Sequence, residues 1–372
     1  MVLETRRFLK MPLLSLLFMK KVDFSHLRIA VPLFFLVILI FNPRLFAQNG
    51  GRHVYTFLTL PESPRITALG GSGIALWGND SGIAAQNPAL YNAQMDKQLS
   101  ISTLPYFAGI HSSNVSFTNH IDSLATFAVS ARIVGYGTFA ETDEYGQQIG
   151  EFGGNDYSLG IAAAKQWNRW SAGAKINFIY SHFAEYNSAG IAADLAASYI
   201  DTAKLFTATL LIQNAGVQVS TYADTRESLP FDIRMGISKR LKHLPFRLSL
   251  TAHHLHRWDI AYSDPNSIQT NIFGEIQDNE VGWVDNLFRH FILGGELFLG
   301  KPVSIAFGYN HLRRRELSIE GRRSLAGFSF GAGIHTRRLQ IQYGMAIYHA
   351  IGGRHHLGIN YSFKKSIPKA NQ

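Results

Sequence analysis

From Leu99 to near the C-terminus, apolar residues alternate with polar or small ones in one segment after another. Leu339, Ile341, Tyr343, Met345 and Ile347 are separated by Gln340, Gln342, Gly344 and Ala346. Val303, Ile305, Phe307 and Tyr309 alternate in the same way with Ser304, Ala306, Gly308 and Asn310. Successive side chains of a strand point to opposite faces, so each segment has one greasy face and one polar or tiny face. A soluble β-sandwich can use this pattern too. Here many such segments succeed one another, their apolar faces are rich in aromatics, and helical periodicity is almost absent. That combination fits a barrel whose outside touches lipid and whose inside does not.

Composition points the same way. Only 16% of residues are charged, while the chain has 33 Gly, 26 Phe and 15 Tyr. This balance suits a membrane barrel with aromatic girdles better than a soluble enzyme. Cysteine is absent, which excludes a disulfide framework, a thiolate metal site and a cysteine nucleophile.

Residues 1–47 read as a targeting segment. Lys20, Lys21 and Arg28 precede the apolar run Ile29–Phe41, and Leu45-Phe46-Ala47 offers a small residue for cleavage before Gln48. The run falls short of the roughly 20 residues a helix needs to cross a bilayer. Met19-Lys20-Lys21 is itself a natural start for an export signal, so residues before Met19 read as an upstream extension. The leader holds seven Lys/Arg against two acids, a balance of +5, which leaves +4 of the formal +9 on the remainder. A basic footprint for nucleic acid is therefore weak, and no nucleic-acid partner is expected.

From Gln48 to Lys97 the alternation is missing, yet Ile66, Leu69, Ile74, Leu76 and Trp77 call for burial. This region reads as a compact segment packed inside, or at the mouth of, the strand-rich remainder. From Leu99 onward about fourteen candidate strands are joined by connections of two kinds. Short ones fall at Thr118–Asp122, Asn168-Arg169, Asp201–Lys204, Lys242–Pro245, Gly300–Pro302 and His335–Arg337. Long ones fall at Gly135–Asp156, Ala215–Ser228, Asp259–Leu287 and Arg313–Arg323, in strict alternation with the short set. Tight turns on one side and longer loops on the other are a mark of outer-membrane barrels. The expected architecture is an all-β transmembrane antiparallel barrel at residues 98–363, with a C-terminal tail at 364–372.

Outward positions should include Phe178, Phe206, Leu210, Phe231, Ile233, Leu248, Leu250, Leu293, Phe328, Phe330, Leu357 and Ile359. The lumen should receive Lys175, Asp194, Asp232, Arg234, Arg247 and Glu296. Both signs occur among them, so ion pairs across the lumen are the simple expectation and a substrate path the sharper one. Arg313, Arg314 and Arg315, with Arg322 and Arg323, give one long loop the guanidinium density that binds phosphate or an acidic partner. Pairing with Glu316 and Glu320 is the plainer alternative. Trp283, Val284, Leu287 and Phe288 are suitable anchors for a protein interface, or packing over the barrel mouth.

Catalytic motifs are missing: there is no Walker loop, HExxH or GxSxG. No enzymatic activity and no cofactor are expected. His254 and His256 would share a strand face and could pair on a metal, but no acid-plus-histidine constellation surrounds them at an informative spacing. Solvated histidines at a barrel rim are the expectation there, with no metal site.

Two sets of residues carry a family resemblance. Arg65-Ile66-Thr67-Ala68-Leu69-Gly70-Gly71-Ser72-Gly73-Ile74-Ala75, with Asn87-Pro88-Ala89 after it, is similar to the N-terminal segment of the FadL-like outer-membrane transporters. That resemblance implies that residues 48–97 form a hatch, with Gly70, Gly71, Asn87, Pro88 and Ala89 as its motif, inside a fourteen-stranded barrel. Further strings narrow the likeness to the PorV/PorQ type of barrel in the type IX secretion system of the Bacteroidetes. They are Gly51–Leu58, Lys239–Arg247, Phe307-Gly308-Tyr309-Asn310-His311 and Leu325–Gly331. By resemblance, the chain would be a non-enzymatic part of the secretion and cell-surface attachment machinery in the outer membrane. Its partners would be a PorZ-like surface protein or the PorU/PorV complex, beside anionic lipopolysaccharide. The alternative is FadL-like transport of fatty acids or other hydrophobic solutes.

Overall fold

The structure is a computed structural model that describes residues 53–122, 124–261, 269–270, 276–277, 282–300, 302–317, 324–349 and 352–363. The expected leader (1–47), the tail (364–372), and Arg322 and Arg323 lie outside the described residues.

Fourteen strands form the wall. They are β1 (Gln98–Pro105), β2 (His111–Ile121), β3 (Ala125–Thr142), β4 (Gln148–Trp167), β5 (Trp170–Phe183), β6 (Tyr186–Asp201) and β7 (Phe206–Ser220). The second half holds β8 (Asp232–Arg240), β9 (Phe246–Ala252), β10 (Phe291–Leu299), β11 (Val303–Asn310), β12 (Phe328–His335), β13 (Leu339–His349) and β14 (Gly352–Ser362). Each is antiparallel to its neighbours, and β1 meets β14 in register from Gln98↔Ser362 to Thr103↔Leu357, which closes the sheet. Gln269–Thr270 and Ile276–Gln277 make a separate small ribbon within one connection.

The alternation now has a direction. Phe178, Leu210, Leu248, Leu293, Phe328, Phe330, Ile341, Leu357 and Ile359 stand exposed on the outer surface. Ser329, Gln340, Gln342 and Asn360, from the same strands, are buried. A continuous apolar surface of this extent is unsuited to water. In hydrocarbon it is favourable, and closure leaves no unpaired strand edge to desolvate. The chain is a transmembrane β-barrel.

Two expectations about the connections need correction. The segment Gly135–Asp156 is mostly strand: β3 and β4 continue as a twisted hairpin, and only residues 143–147 turn the chain. Register shifts between Gly135 and Thr138 and again near Thr142 absorb the irregularity, so glycines that suggested a loop mark bulges instead. Likewise β7 runs through Ala215–Ser220, and β2 continues to Ile121. The strict alternation of short and long connections also fails. On the outer side, β5 and β6 are joined by residues 184–185 and β13 and β14 by residues 350–351 alone. The genuinely long outer connections are 221–231, 253–290 and 311–327.

Inside the cylinder sits the segment of residues 53–97. Ile66, Leu69, Ile74, Ile83, Ala84, Ala89 and Leu90 are fully buried. Each larger aliphatic side chain among them contributes about 1.5–3 kcal/mol by leaving water. Two short helices shape the segment: α1 (Pro64–Ala68), with Pro at its first turn and Ser63 as N-cap, and α2 (Ser81–Ala84), capped by Asp80.

Candidate functional site

The Gly70–Gly71 pair ends α1. Both residues have positive φ, 86° and 95°, and the Gly71 N–H reaches Ile66 O at 2.9 Å while the Gly70 N–H reaches Thr67 O at 3.3 Å. This is the Schellman closure of a helix, which favours a residue without Cβ at its left-handed position. Asn87-Pro88-Ala89 does related work. The Asn87 side chain accepts from Ala89 N at 3.0 Å and donates to Ile74 O at 2.5 Å, tying two arms of the segment together. These motif residues are structural pins, all buried except the half-buried Gly71.

Charged residues latch the plug to the wall. Arg65 forks onto Glu296 of β10, Nε to Oε1 at 2.5 Å and Nη2 to Oε2 at 2.9 Å, and its Nη1 reaches Asp80 at 3.3 Å. Arg247 of β9 supports the same carboxylate at 3.3 Å. Asp80 also accepts from Gln342 and Asn360, each at 2.7 Å. A second cluster centres on Glu62, which meets Arg132 Nη2 at 2.6 Å and Lys175 Nζ at 3.3 Å. Burial opposes ionisation of Glu62, but Lys175 and Arg132 outweigh it and hold its pKa below the ordinary value. Around it lies a cavity of about 30 Å³ lined by Glu62, Arg132, Lys175, Asn177 and Asp194.

The six expected lumen charges all face inward, yet they do not simply pair across an open bore. Glu296 and Lys175 are used by the plug, Arg234 binds Asp232 of its own strand at 2.6 Å, and Asp194 accepts from Asn177 and from the Asn214 N–H. Sequence reasoning misses Glu62, Arg65 and Asp80, the plug's own half of these contacts. Their signal is available: charged residues isolated in a segment too apolar to be a tail.

Outside the membrane, α3 (Trp283–Arg289) and α4 (His311–Glu316) are joined through Asp285. Its carboxylate meets Arg289 at 2.9 Å, His311 at 3.0 Å and Arg315 at 2.6 Å. Burial works against its charge, but the hydrogen bonds from His311, Arg315 and Arg289 prevail and hold its pKa at about 2. This brace is therefore complete above the unfolded value of about 4 and fades as pH falls toward 2. Asp285→Asn should raise protease cleavage within residues 282–317 at neutral pH, and wild-type protein should show the same gain only near pH 2. Equal cleavage of both proteins at pH 7 would remove the brace.

The arginines divide. Arg315 belongs to this brace, Arg314 bonds Ser324 O, and Arg313 lies over the Tyr348 ring at 4.3 Å and beside Gly71. Trp283, Val284 and Phe288 remain exposed on α3, with Leu255 and Trp258 exposed at the start of the same 253–290 connection, while Leu287 is half-buried. His254 and His256 do not share a strand face: β9 ends at Ala252, and His254 adopts a left-handed φ of 56°.

No protein-family model matches the chain, and no curated protein sequence matches it. Several solved structures are similar to it. The P. putida toluene transporter TodX has 9% identity and a TM-score of 0.48 over 83% of this chain and 100% of that one. A Pseudomonas aeruginosa FadL homologue has 12% identity and a TM-score of 0.48, covering 85% and 100%. The monoaromatic hydrocarbon channel CymD has 13% identity and a TM-score of 0.47, covering 84% and 100%. The fold itself rests on the closed strand register described above.

Proposed function

We propose that this barrel is a non-enzymatic, outer-membrane docking component of a type IX-like protein secretion and surface-attachment machine. Its outer connections present the binding surface and its hatch seals the bore. The observation that carries this reading is a contrast between inside and outside. The interior is occupied by a segment latched through Arg65–Glu296 and Glu62–Arg132, whereas Trp283, Val284 and Phe288 are offered to solvent on a helix braced by Asp285. A stable partner needs on the order of 1,000 Å² of contact, and aromatic anchors supply most of its energy. The strings that resemble the PorV/PorQ type support the choice of machine, and a PorZ-like surface protein is the partner to seek. Arg315, exposed at the end of α4, would face anionic lipopolysaccharide or an acidic patch on that partner, with Arg322 and Arg323 of the same 311–327 connection as the other candidates.

A second reading has one observation of its own. Val54, Tyr55, Phe57, Leu58, Val134, Ile179 and Leu229 form an apolar cluster in the half of the bore toward the long connections. A hatch that moved would expose a greasy path suited to fatty acids or other hydrophobic solutes.

The discriminating experiment purifies wild-type and Trp283→Ala/Phe288→Ala protein from outer membranes, and assays surface attachment and fatty-acid uptake in the same strains. Docking predicts a co-purifying surface protein that the double variant loses at least about tenfold, with uptake unchanged. Intact attachment beside lost uptake in a deletion strain would replace docking by transport.

A further inference from the structure

The outer end of the β8–β9 hairpin gathers an acid and several histidines. Asp232 opens β8, and His253 and His254 come directly after β9. One potential ligand atom from each of Asp232, His253 and His254 lies within 4.8 Å of the others. His254 Nδ1 is 3.6 Å from Asp232 Oδ2, and His256 Nδ1 stands 3.9 Å from Asp232 Oδ1. His253 Nδ1 faces His254 Nδ1 at 2.5 Å.

The heart of the cluster is closed to water, with Asp232 and His253 only 3% and 4% exposed. Two imidazole nitrogens facing each other at this separation hold either one shared proton or one shared cation, because two bare lone pairs repel. His254 is moreover held at positive φ, a conformation that costs energy for a residue with Cβ.

We propose that Asp232, His253 and His254 form a site for a divalent transition-metal ion of the zinc class, with His256 as an outer fourth ligand. Imidazole nitrogens with one carboxylate suit zinc, copper or nickel rather than calcium or magnesium. Bonds of about 2.0–2.1 Å in a tetrahedron place ligand atoms roughly 3.3 Å apart. The His254–Asp232 separation already fits, and the two Nδ1 atoms need to part by less than about 1 Å. Arg234, bonded to Asp232 Oδ2 at 2.6 Å, and the His254 N–H, bonded to Oδ1 at 2.6 Å, hold the carboxylate in place. Both ring nitrogens of His290 face backbone carbonyls, so that ring is not a ligand. An ion here would clamp the base of the 253–290 connection, which carries α3.

The test uses the full-length, untagged barrel in detergent, stripped with chelator and titrated with Co²⁺. The expected result is one equivalent bound with the visible bands of tetrahedral cobalt, which Zn²⁺ then displaces. His254→Ala should lower the affinity at least about tenfold, since even partners behind the ligands are worth 10–100-fold. His355→Ala, at a distant ring, should leave it unchanged. Heat-modifiable migration on gels verifies that each variant is a folded barrel, and the wild-type spectrum stands independently of any variant. Absence of saturable cobalt uptake, or equal affinity in wild type and folded His254→Ala, would overturn the site.

Discussion

Glu296→Ala should unseat the hatch without dismantling the barrel. The substitution removes the anion that Arg65 and Arg247 share and leaves two guanidinium groups in a largely desolvated interior. Breaking a buried pair from one side costs about 3–5 kcal/mol, because the abandoned charge loses its compensation. Asp80 would retain Arg65 at 3.3 Å and limit the loss, but nothing comparable replaces the two-pronged contact at 2.5 and 2.9 Å. The expected result is single-channel conductance in planar bilayers, entry of antibiotics that wild-type cells exclude, and a lower temperature for the heat-modifiable transition. A triple change of Arg65, Arg247 and Glu296 to Met should restore most of the seal, since well-packed apolar groups often equal a buried ion network. If Glu296→Ala neither conducts nor loses thermal stability, the latch is not what holds the hatch.

Gly308→Val should have an effect at least as large, for a steric reason. Gly308 faces inward from β11, and a Cβ there would overlap the backbone of Leu69 and Gly70. Ordinary overpacking costs roughly 1–3 kcal/mol because side chains can rotate or shift. A helix-ending turn cannot rotate away, so the whole Gly70–Gly71 closure must leave its seat. Gly344, whose Cβ would meet the backbone of Pro64, predicts the same outcome at the other end of α1. Gly352, where an added Cβ would meet no atom of the described residues within 4 Å, supplies the control: Gly352→Ala should behave as wild type. Bilayer recordings and protease access to Arg65 read both results. A silent, protease-resistant Gly308→Val barrel would mean that the hatch does not lie against β11.

These two residues also show where legibility begins and ends. The inward glycines are visible in the sequence as the tiny face of each strand, and their outward neighbours are legible as lipid-facing. Their purpose is not visible. In a sequence, Gly308 only says that this face is small; that it is small because Leu69–Gly70 passes against it is a contact across more than two hundred residues. Glu296 and Lys175 are likewise legible as lumen residues, but their partners Arg65 and Glu62 lie in the plug. Glycine misleads at Gly135–Asp156, where it breaks the alternation without ending the strands. Asp232 reads as inward from its own strand, and no local spacing can announce His253 and His254 beside it, because the hairpin brings them together from opposite ends.

What the sequence determined by itself was the wall. A period of two is local, so fourteen strands, their lipid-facing side chains and most of the tight turns come from residue order and strand geometry. Only the tertiary structure decided what fills the wall, what latches it, and which loop residues are tied down or left exposed. Those outcomes depend on distances between residues far apart in the chain, where burial turns one missing charge or one extra methyl group into kilocalories.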